Sequence, residues 1–246
     1  MKLQDYFKRA REEKWALGQF NIAELSTIEV IVRAAQKKKS PVIIGASERK
    51  SRLLGLKKIA GAVRRWRQKT GLPAFLHLDH AKSLGYIKEA IRAGYDSVHF
   101  DGSGLGLSRN IKETKKIKDY AKRFGVLVEG EIDVIGGKLT KPAEAEKFLK
   151  VTKVDSLAAD IGTEHGMLKA TKVDLPRLIR IRRKAGNVSL VMHGGSGVSD
   201  RQVKQAIKAG IVKINISTVL RKAETAKAKQ KVVENKIKLF GSINKI

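Results

Sequence analysis

The sequence predicts an α/β fold of the (β/α)8 type, a TIM barrel formed as a single domain over residues 1–246, and three observations carry that expectation. Eight short apolar runs recur along the chain, amphipathic Lys-rich segments long enough to be helices separate them, and polar residues gather at or just beyond the end of every run. Alternation of strand and helix signals a parallel sheet with helical crossovers. Eight repeats of that unit favour a closed barrel over an open sheet.

The runs cover 17–22, 42–47, 74–79, 97–101, 126–131, 156–161, 190–193 and 212–216. Segments 26–38, 83–93, 108–124 and 200–209 between them carry apolar residues three and four apart, the spacing of one helix face. Each opens on a Ser or Asp suited to capping, and Gly94, Gly125 and Gly210 follow the last three, where a left-handed residue is expected. The third run shows how a strand can carry chemistry at its tip. Leu76 and Leu78 share one face, Phe75, His77 and Asp79 the other, and His80 falls where pairing is expected to give out.

Composition excludes several classes of function. The chain has no cysteine, hence no disulfide framework, thiolate site or cysteine nucleophile. Residues 1–15 are charged throughout and lack a signal core, and no window offers the roughly 18 apolar residues of a membrane span, so the expected setting is cytoplasmic with no membrane partner. The formal charge of +28 is spread over nearly every helical segment, with no basic tail or nucleic-acid motif. Solvated helix faces account for most of it, and nucleic acid is expected to bind only through nonspecific electrostatics.

Active sites of such barrels gather at the C-terminal strand ends. At or near their ends the eight runs offer Asn21, Ser47, Asp79 with His80, Asp101, Glu129 and Glu131, His165, His193, and Asn215 with Ser217 and Thr218. Closure of the barrel would bring His80, His165 and His193 to one rim, and three histidines around an open position suit catalytic zinc, with Glu131 as a fourth or exchanging ligand. Any one of them is more often structural than metal-binding; three at three strand ends make coincidence a poor explanation. His77 and His99 lie within strands and read as core or supporting histidines. Gly194, Gly195 and Ser196 after the seventh run, with Ser217 and Thr218 after the eighth, occupy the two loops where barrels often bind phosphate. Glycines let backbone amides approach an anion and hydroxyls add donors, although a glycine pair can equally serve only to reverse the chain.

With these residues assembled, the chain resembles the class II, metal-dependent fructose-bisphosphate aldolases and their tagatose-bisphosphate relatives. The pieces that carry the likeness are Phe20-Asn21, His77-Leu78-Asp79-His80, Asp101-Gly102-Ser103, Val128-Glu129-Gly130-Glu131, Ile161-Gly162-Thr163-Glu164-His165-Gly166, His193-Gly194-Gly195-Ser196-Gly197 and Lys213-Ile214-Asn215-Ile216. The resemblance implies that His80, His165 and His193 bind Zn²⁺ (zinc), that Glu131 is an alternate or supporting ligand, and that Asp79 exchanges a proton with the substrate C4 hydroxyl. It implies substrate or phosphate contacts from Asn21, Ser47, Gly166, Asn215 and the two loops. It also implies a monovalent cation (Na⁺ or K⁺) near the phosphate and a homodimer or homotetramer. The implied reaction interconverts fructose 1,6-bisphosphate with two triose phosphates, a step of glycolysis and gluconeogenesis. Tagatose bisphosphate is the nearest alternative among phosphorylated ketoses.

Three departures stand out. Relatives carry a longer acidic mobile loop after the fifth strand, whereas here Gly136-Gly137 runs straight into Lys138-Leu139-Thr140-Lys141-Pro142. Ser217 stands where the family usually has aspartate, and the segment 221–233 is short for a second phosphate contact. A catalytically impaired relative that binds phosphate or polyanions is therefore the competing expectation from another class of function.

Overall fold

The computed structural model describes residues 1–166 and 171–246. Eight parallel strands close into a barrel in sequence order: β1 (Leu17–Asn21), β2 (Val42–Ser47), β3 (Ala74–Ala81), β4 (Ser97–Asp101), β5 (Leu127–Glu131), β6 (Ser156–Ala158), β7 (Ser189–Met192) and β8 (Ile211–Ile216), which pairs back onto β1. Around them run α1 (Leu3–Glu13), α2 (Ser26–Lys37), α3 (Glu48–Leu54), α4 (Leu56–Thr70), α5 (Leu84–Arg92) and α6 (Leu107–Lys122). The circuit ends with α7 (Pro142–Thr152), α8 (Leu175–Ala185), α9 (Asp200–Lys208), α10 (Thr218–Lys222) and α11 (Ala226–Leu239). The expected barrel is the observed fold.

Strand alternation divides each strand between two environments. Leu76 and Leu78, Val98 and Phe100, Leu190 and Met192, and Ile214 and Ile216 are buried in the apolar shell shared with the helices. The intervening residues turn inward, and there the interior is polar: Gln19, His77, Ser97, His99, Glu129 and Lys213 are all buried. A single apolar plug closes the N-terminal end. Leu3, Tyr6, Phe7 and Ala10, one face of α1, pack with Trp15, Leu17, Ile43, Phe75 and Val212. Each large apolar side chain buried this way contributes about 1.5–3 kcal/mol. Chemistry is thereby confined to the opposite rim.

The rim differs from expectation in instructive ways. Pairing does not give out at His80: β3 continues to Ala81 through a register shift after Leu78, with His80 at φ 46°. A left-handed histidine inside a bulge breaks the alternation and turns two consecutive side chains, Asp79 and His80, into the same cleft. Such a conformation costs about 1–3 kcal/mol, which the surrounding pairing must hold. The sixth run is shorter than its apolar stretch, because Asp160 draws the chain into loops by accepting the amides of Gly136 (3.0 Å) and Gly162 (2.9 Å).

Of the four expected caps only Ser83 accepts, from the Tyr86 amide at 3.3 Å. Ser26, Ser108 and Asp200 lie inside their helices, whose first turns are closed by backbone acceptors at Glu24, Gly106 and Ser199. Gly94, Gly125 and Gly210 do take the left-handed conformation, with φ of 92°, 67° and 110°.

Candidate active site

A cleft of about 450 Å³ opens at the C-terminal ends of the strands. Asp79 and His80 from the β3 bulge, His193 just after β7, and His165 with Gly166 after β6 form its floor and one wall. Asn21 and Ser47 enter from β1 and β2, and Gly194, Ser196, Asn215, Ser217 and Thr218 from the last two strand ends. Gly195 does not line it and packs instead against Ile214 and the Asn215 backbone. Glu131 lies in a neighbouring cleft with Asp101, separated from the first by His80 and His165, which line both.

Asp79 is held from two sides. Its Oδ2 accepts the Asn21 side-chain amide at 2.7 Å and its Oδ1 that of Asn215 at 3.2 Å. Asn21 has room because residue 45 of the adjacent strand is glycine; a Cβ there would collide with its amide oxygen. Burial alone would raise the Asp79 pKa, but His80, His99, His193 and His77 outweigh it and hold the carboxyl well below its usual range. Asp79 is therefore a carboxylate, able only to accept.

The histidines form one connected group. His193 donates from Nε2 to Glu129 Oε1 at 2.8 Å, which leaves its Nδ1 as a lone pair 3.0 Å from His80 Nε2. His80 Nδ1 lies 3.3 Å from Asp101 Oδ2 and 3.8 Å from Glu131 Oε2. Burial works against a charged His80, yet Asp79, Asp101 and Glu131 push it up to about 9. Burial takes His193 down to about 3, and burial followed by the charge of His80 lowers His165. Burial raises Glu131 to about 7, and its Oε2 has no hydrogen-bond partner among the described residues.

This donor set fits a divalent cation. Two imidazole nitrogens face each other across 3.0 Å with carboxylates behind them, and nitrogen and oxygen donors of this kind suit zinc among other metals. Among the described residues, one four-residue grouping has donor atoms all within 4.8 Å of one another: Asp79, His80, His99 and His193. His165 stands outside it, its ring 4.9 Å from that of His80 and 5.8 Å from that of His193, centroid to centroid. His99 accepts the His80 amide at Nδ1 (3.1 Å) and faces Glu131 Oε2 at 3.5 Å through Nε2, so it braces the bulge from within the barrel. His77 is tied through Nδ1 to Ser97 at 2.7 Å.

The loop wall presents unused donors. The Ser196 hydroxyl is buried without a partner among the described residues. Gly194 has φ 67°, and a Cβ there would collide with the Glu164 carbonyl oxygen. Ser47 also caps α3 by accepting the Lys50 amide at 3.3 Å. The residue-by-residue reading overlooked Arg49, Lys50 and Arg221, which line the mouth of the cleft. The neighbouring carboxylate, Glu48, is taken by Arg52 and by the Lys82 and Ser83 amides, so these cations have no carboxylate partner among the described residues. Their signal in the sequence was position alone, two to five residues beyond a strand end.

The profile of the family described as Fructose-bisphosphate aldolase class-II matches residues 1–245. The sulfofructosephosphate aldolase of Alkalicoccus urumqiensis is 37% identical over 241 residues, covering 93% of this chain and 84% of the relative. The 6-phospho-5-dehydro-2-deoxy-D-gluconate aldolase of Bacillus subtilis (strain 168) is 37% identical over 246 residues, covering 95% and 84%. Among solved structures, the YdjI aldolase of Escherichia coli K12 superposes with a TM-score of 0.91 at 31% identity, over 99% of this chain and 98% of that one. No helix among the described residues is long and apolar enough to cross a membrane. By sequence and by fold, the chain belongs to the class II fructose-bisphosphate aldolases, carbon–carbon lyases that act on phosphorylated sugars.

Proposed function

We propose that this chain is a zinc-dependent aldolase that cleaves a phosphorylated ketose between C3 and C4, with fructose 1,6-bisphosphate as the leading substrate and tagatose bisphosphate as its nearest competitor. The observation that carries the reading is the Asp79 carboxylate, oriented by two amides, beside facing nitrogens of His80 and His193. His80, His165 and His193 would hold the ion, with Glu131 as an exchanging ligand, and the ion would supply Lewis-acid charge against the oxygen on which negative charge develops. Asp79 takes the C4 hydroxyl proton as the C3–C4 bond breaks, releasing an aldehyde and leaving the enediolate of dihydroxyacetone phosphate. Asn21 and Asn215 hold that carboxylate in line. Gly194, Ser196, Ser217 and Thr218 receive the phosphate, and Gly195 fixes the turn behind them.

Arg49, Lys50 and Arg221 at the mouth favour a substrate with a second anionic group, which fits both a bisphosphate and a sugar carrying phosphate and sulfonate. Family membership alone therefore does not place the chain in glycolysis. We further propose that residues 1–246 act as one catalytic domain in a homodimer or homotetramer with a monovalent cation near the phosphate; light scattering and a potassium titration of activity test these points.

The central test is cleavage of fructose 1,6-bisphosphate, tagatose 1,6-bisphosphate, sulfofructose phosphate and 6-phospho-5-dehydro-2-deoxygluconate, read by released triose phosphate. Chelation should abolish activity, zinc should restore it, and borohydride should trap no substrate. Full activity in metal-free protein, or a borohydride adduct, would sink the metal mechanism. Phosphate binding without cleavage of any of the four sugars would instead support the impaired relative.

A further inference from the structure

One layer below the rim, an ion pair spans the barrel interior. Lys213 of β8 places Nζ 2.6 Å from Glu129 Oε2, and the other oxygen of Glu129 accepts His193 Nε2 at 2.8 Å. No side chain of the three is more than 1% exposed. Burying such a pair carries a desolvation cost of several kcal/mol per ion, and apolar residues of similar volume often do as well or better. The outward faces of the same strands are in fact filled by Val128, Ile214 and Ile216. Stability gives little reason for Lys213 and Glu129 to be here.

Geometry supplies a better reason. A carboxylate has two acceptor edges and no donor; Lys213 engages one, and the other meets the His193 ring. Among the described residues, the other polar atoms within 3.5 Å of its ring nitrogens are Asn215 Nδ2, a donor 3.3 and 3.5 Å away, and His80 Nε2 at 3.0 Å from Nδ1. Glu129 alone receives the Nε2 proton. We propose that Lys213 and Glu129 are positioning residues for His193: Lys213 orients the carboxylate, the carboxylate fixes the imidazole as the Nε2–H tautomer, and Nδ1 is thereby presented to the cleft as the metal-binding atom. The inference rests on His193 being a ligand, as proposed above. It gives the one lysine in the β8 run a task other than Schiff-base formation.

Isosteric variants test it. In Glu129→Gln with Lys213 intact, the ammonium claims the only side-chain oxygen and turns the amide NH₂ towards His193. The ring must then accept at Nε2 and carry its proton on Nδ1. In the Glu129→Gln/Lys213→Met double variant the oxygen is released to turn back, and the original tautomer returns. Long-range ¹⁵N–¹H imidazole correlations on metal-free protein, with circular dichroism to confirm folding, read the tautomer directly. Chelator competition reads zinc affinity, and the Co²⁺ absorption spectrum reads the ligand field.

The expected result is an inverted tautomer and zinc binding weakened about 10- to 100-fold in the single variant, the loss typical of orienting partners of metal ligands. Recovery to within about threefold of the parent is expected in the double variant, where a merely structural pair would give a further loss or none. An unchanged tautomer in Glu129→Gln, or a double variant no better than the single, overturns the proposal. Inversion and recovery of the tautomer with zinc affinity indifferent to both would overturn His193 as a ligand, a separate failure that belongs to the metal reading above.

Discussion

Asp79→Asn isolates the proposed base, because the structure allows the fold to survive the change. Asp79 now accepts an amide at each oxygen, from Asn21 at 2.7 Å and Asn215 at 3.2 Å. Asparagine keeps the shape but turns one edge into a donor. Its oxygen can stay on Asn21, which leaves its NH₂ facing the NH₂ of Asn215. That clash has a local remedy: the Asn215 side-chain oxygen is buried without a partner among the described residues, so a half-turn of that amide presents an acceptor. What remains is the exchange of charge-assisted bonds for neutral ones, about 1–3 kcal/mol, within a typical folding stability of about 5–15 kcal/mol.

The catalytic loss should be larger and of a different kind. Removing a positioned general base costs about 10²- to 10⁴-fold in turnover, or roughly 2.7–5.4 kcal/mol of barrel-bound transition-state stabilisation at 1.36 kcal/mol per decade. The assay compares kcat for cleavage at matched zinc content by atomic absorption, with dihydroxyacetone phosphate binding as a control that should move little. A variant that binds zinc and turns over within threefold of the parent would remove Asp79 from proton transfer.

Other expectations follow from single contacts. Glu48 ties the β3–α5 connection by accepting the Lys82 and Ser83 amides at 2.7 and 3.2 Å; burial would raise it, but Arg52 and those amides hold its pKa below normal. Its stabilisation is therefore present above the unfolded value of about 4.3 and lost as pH falls through the lower folded value, so the gap in urea midpoint between parent and Glu48→Gln should narrow progressively as pH falls below that unfolded value. Gly194→Ala should cost about 1–3 kcal/mol through its positive φ and weaken binding of inorganic phosphate, measured by calorimetry, more than it lowers kcat. Solvent hydrogen should exchange slowly into bound dihydroxyacetone phosphate, with little further loss in Glu144→Gln or Glu146→Gln, because Glu144 pairs with Lys141 and Glu146 with Lys150 and Lys184 away from the cleft. Rapid exchange that collapses in either variant, followed by NMR, would show that the short loop has a substitute base.

The barrel was legible because each strand's two faces differ in kind. Leu76 and Leu78 against His77 and Asp79 is a pattern that period-two alternation reads without ambiguity. What alternation cannot read is its own interruption. A bulge at His80 leaves little mark in residue type, since histidine, although enriched among left-handed residues, is far more often found at negative φ, and so the sequence implied an ended strand where the chain continues to Ala81. Helix starts failed for a related reason: Ser26, Ser108 and Asp200 are good caps by type, but the first-turn donors found backbone partners one or two residues earlier. Helix α1 was hidden by its charges, although Leu3, Tyr6, Phe7 and Ala10 repeat at helical spacing. The charged pair Glu129 and Lys213 did leave a signal, because opposite charges at inward positions of two apolar strands require each other.

The same division explains why this barrel can carry so polar an interior. Burying His77, His99, Glu129 and Lys213 gains little net stability even when their hydrogen bonds are made, so the outer shell and the α1 plug must supply most of it. Loss of function and loss of stability should consequently separate by face. Truncating Leu78 or Ile214, both fully buried in the outer shell, should unfold the chain by about 2–5 kcal/mol while leaving the residual folded protein able to bind metal. Neutral apolar pairs placed inside can leave the fold as stable as before and still disable the rim, because what the inner residues fix is direction: which oxygen faces Asn21, and which nitrogen of His193 faces His80.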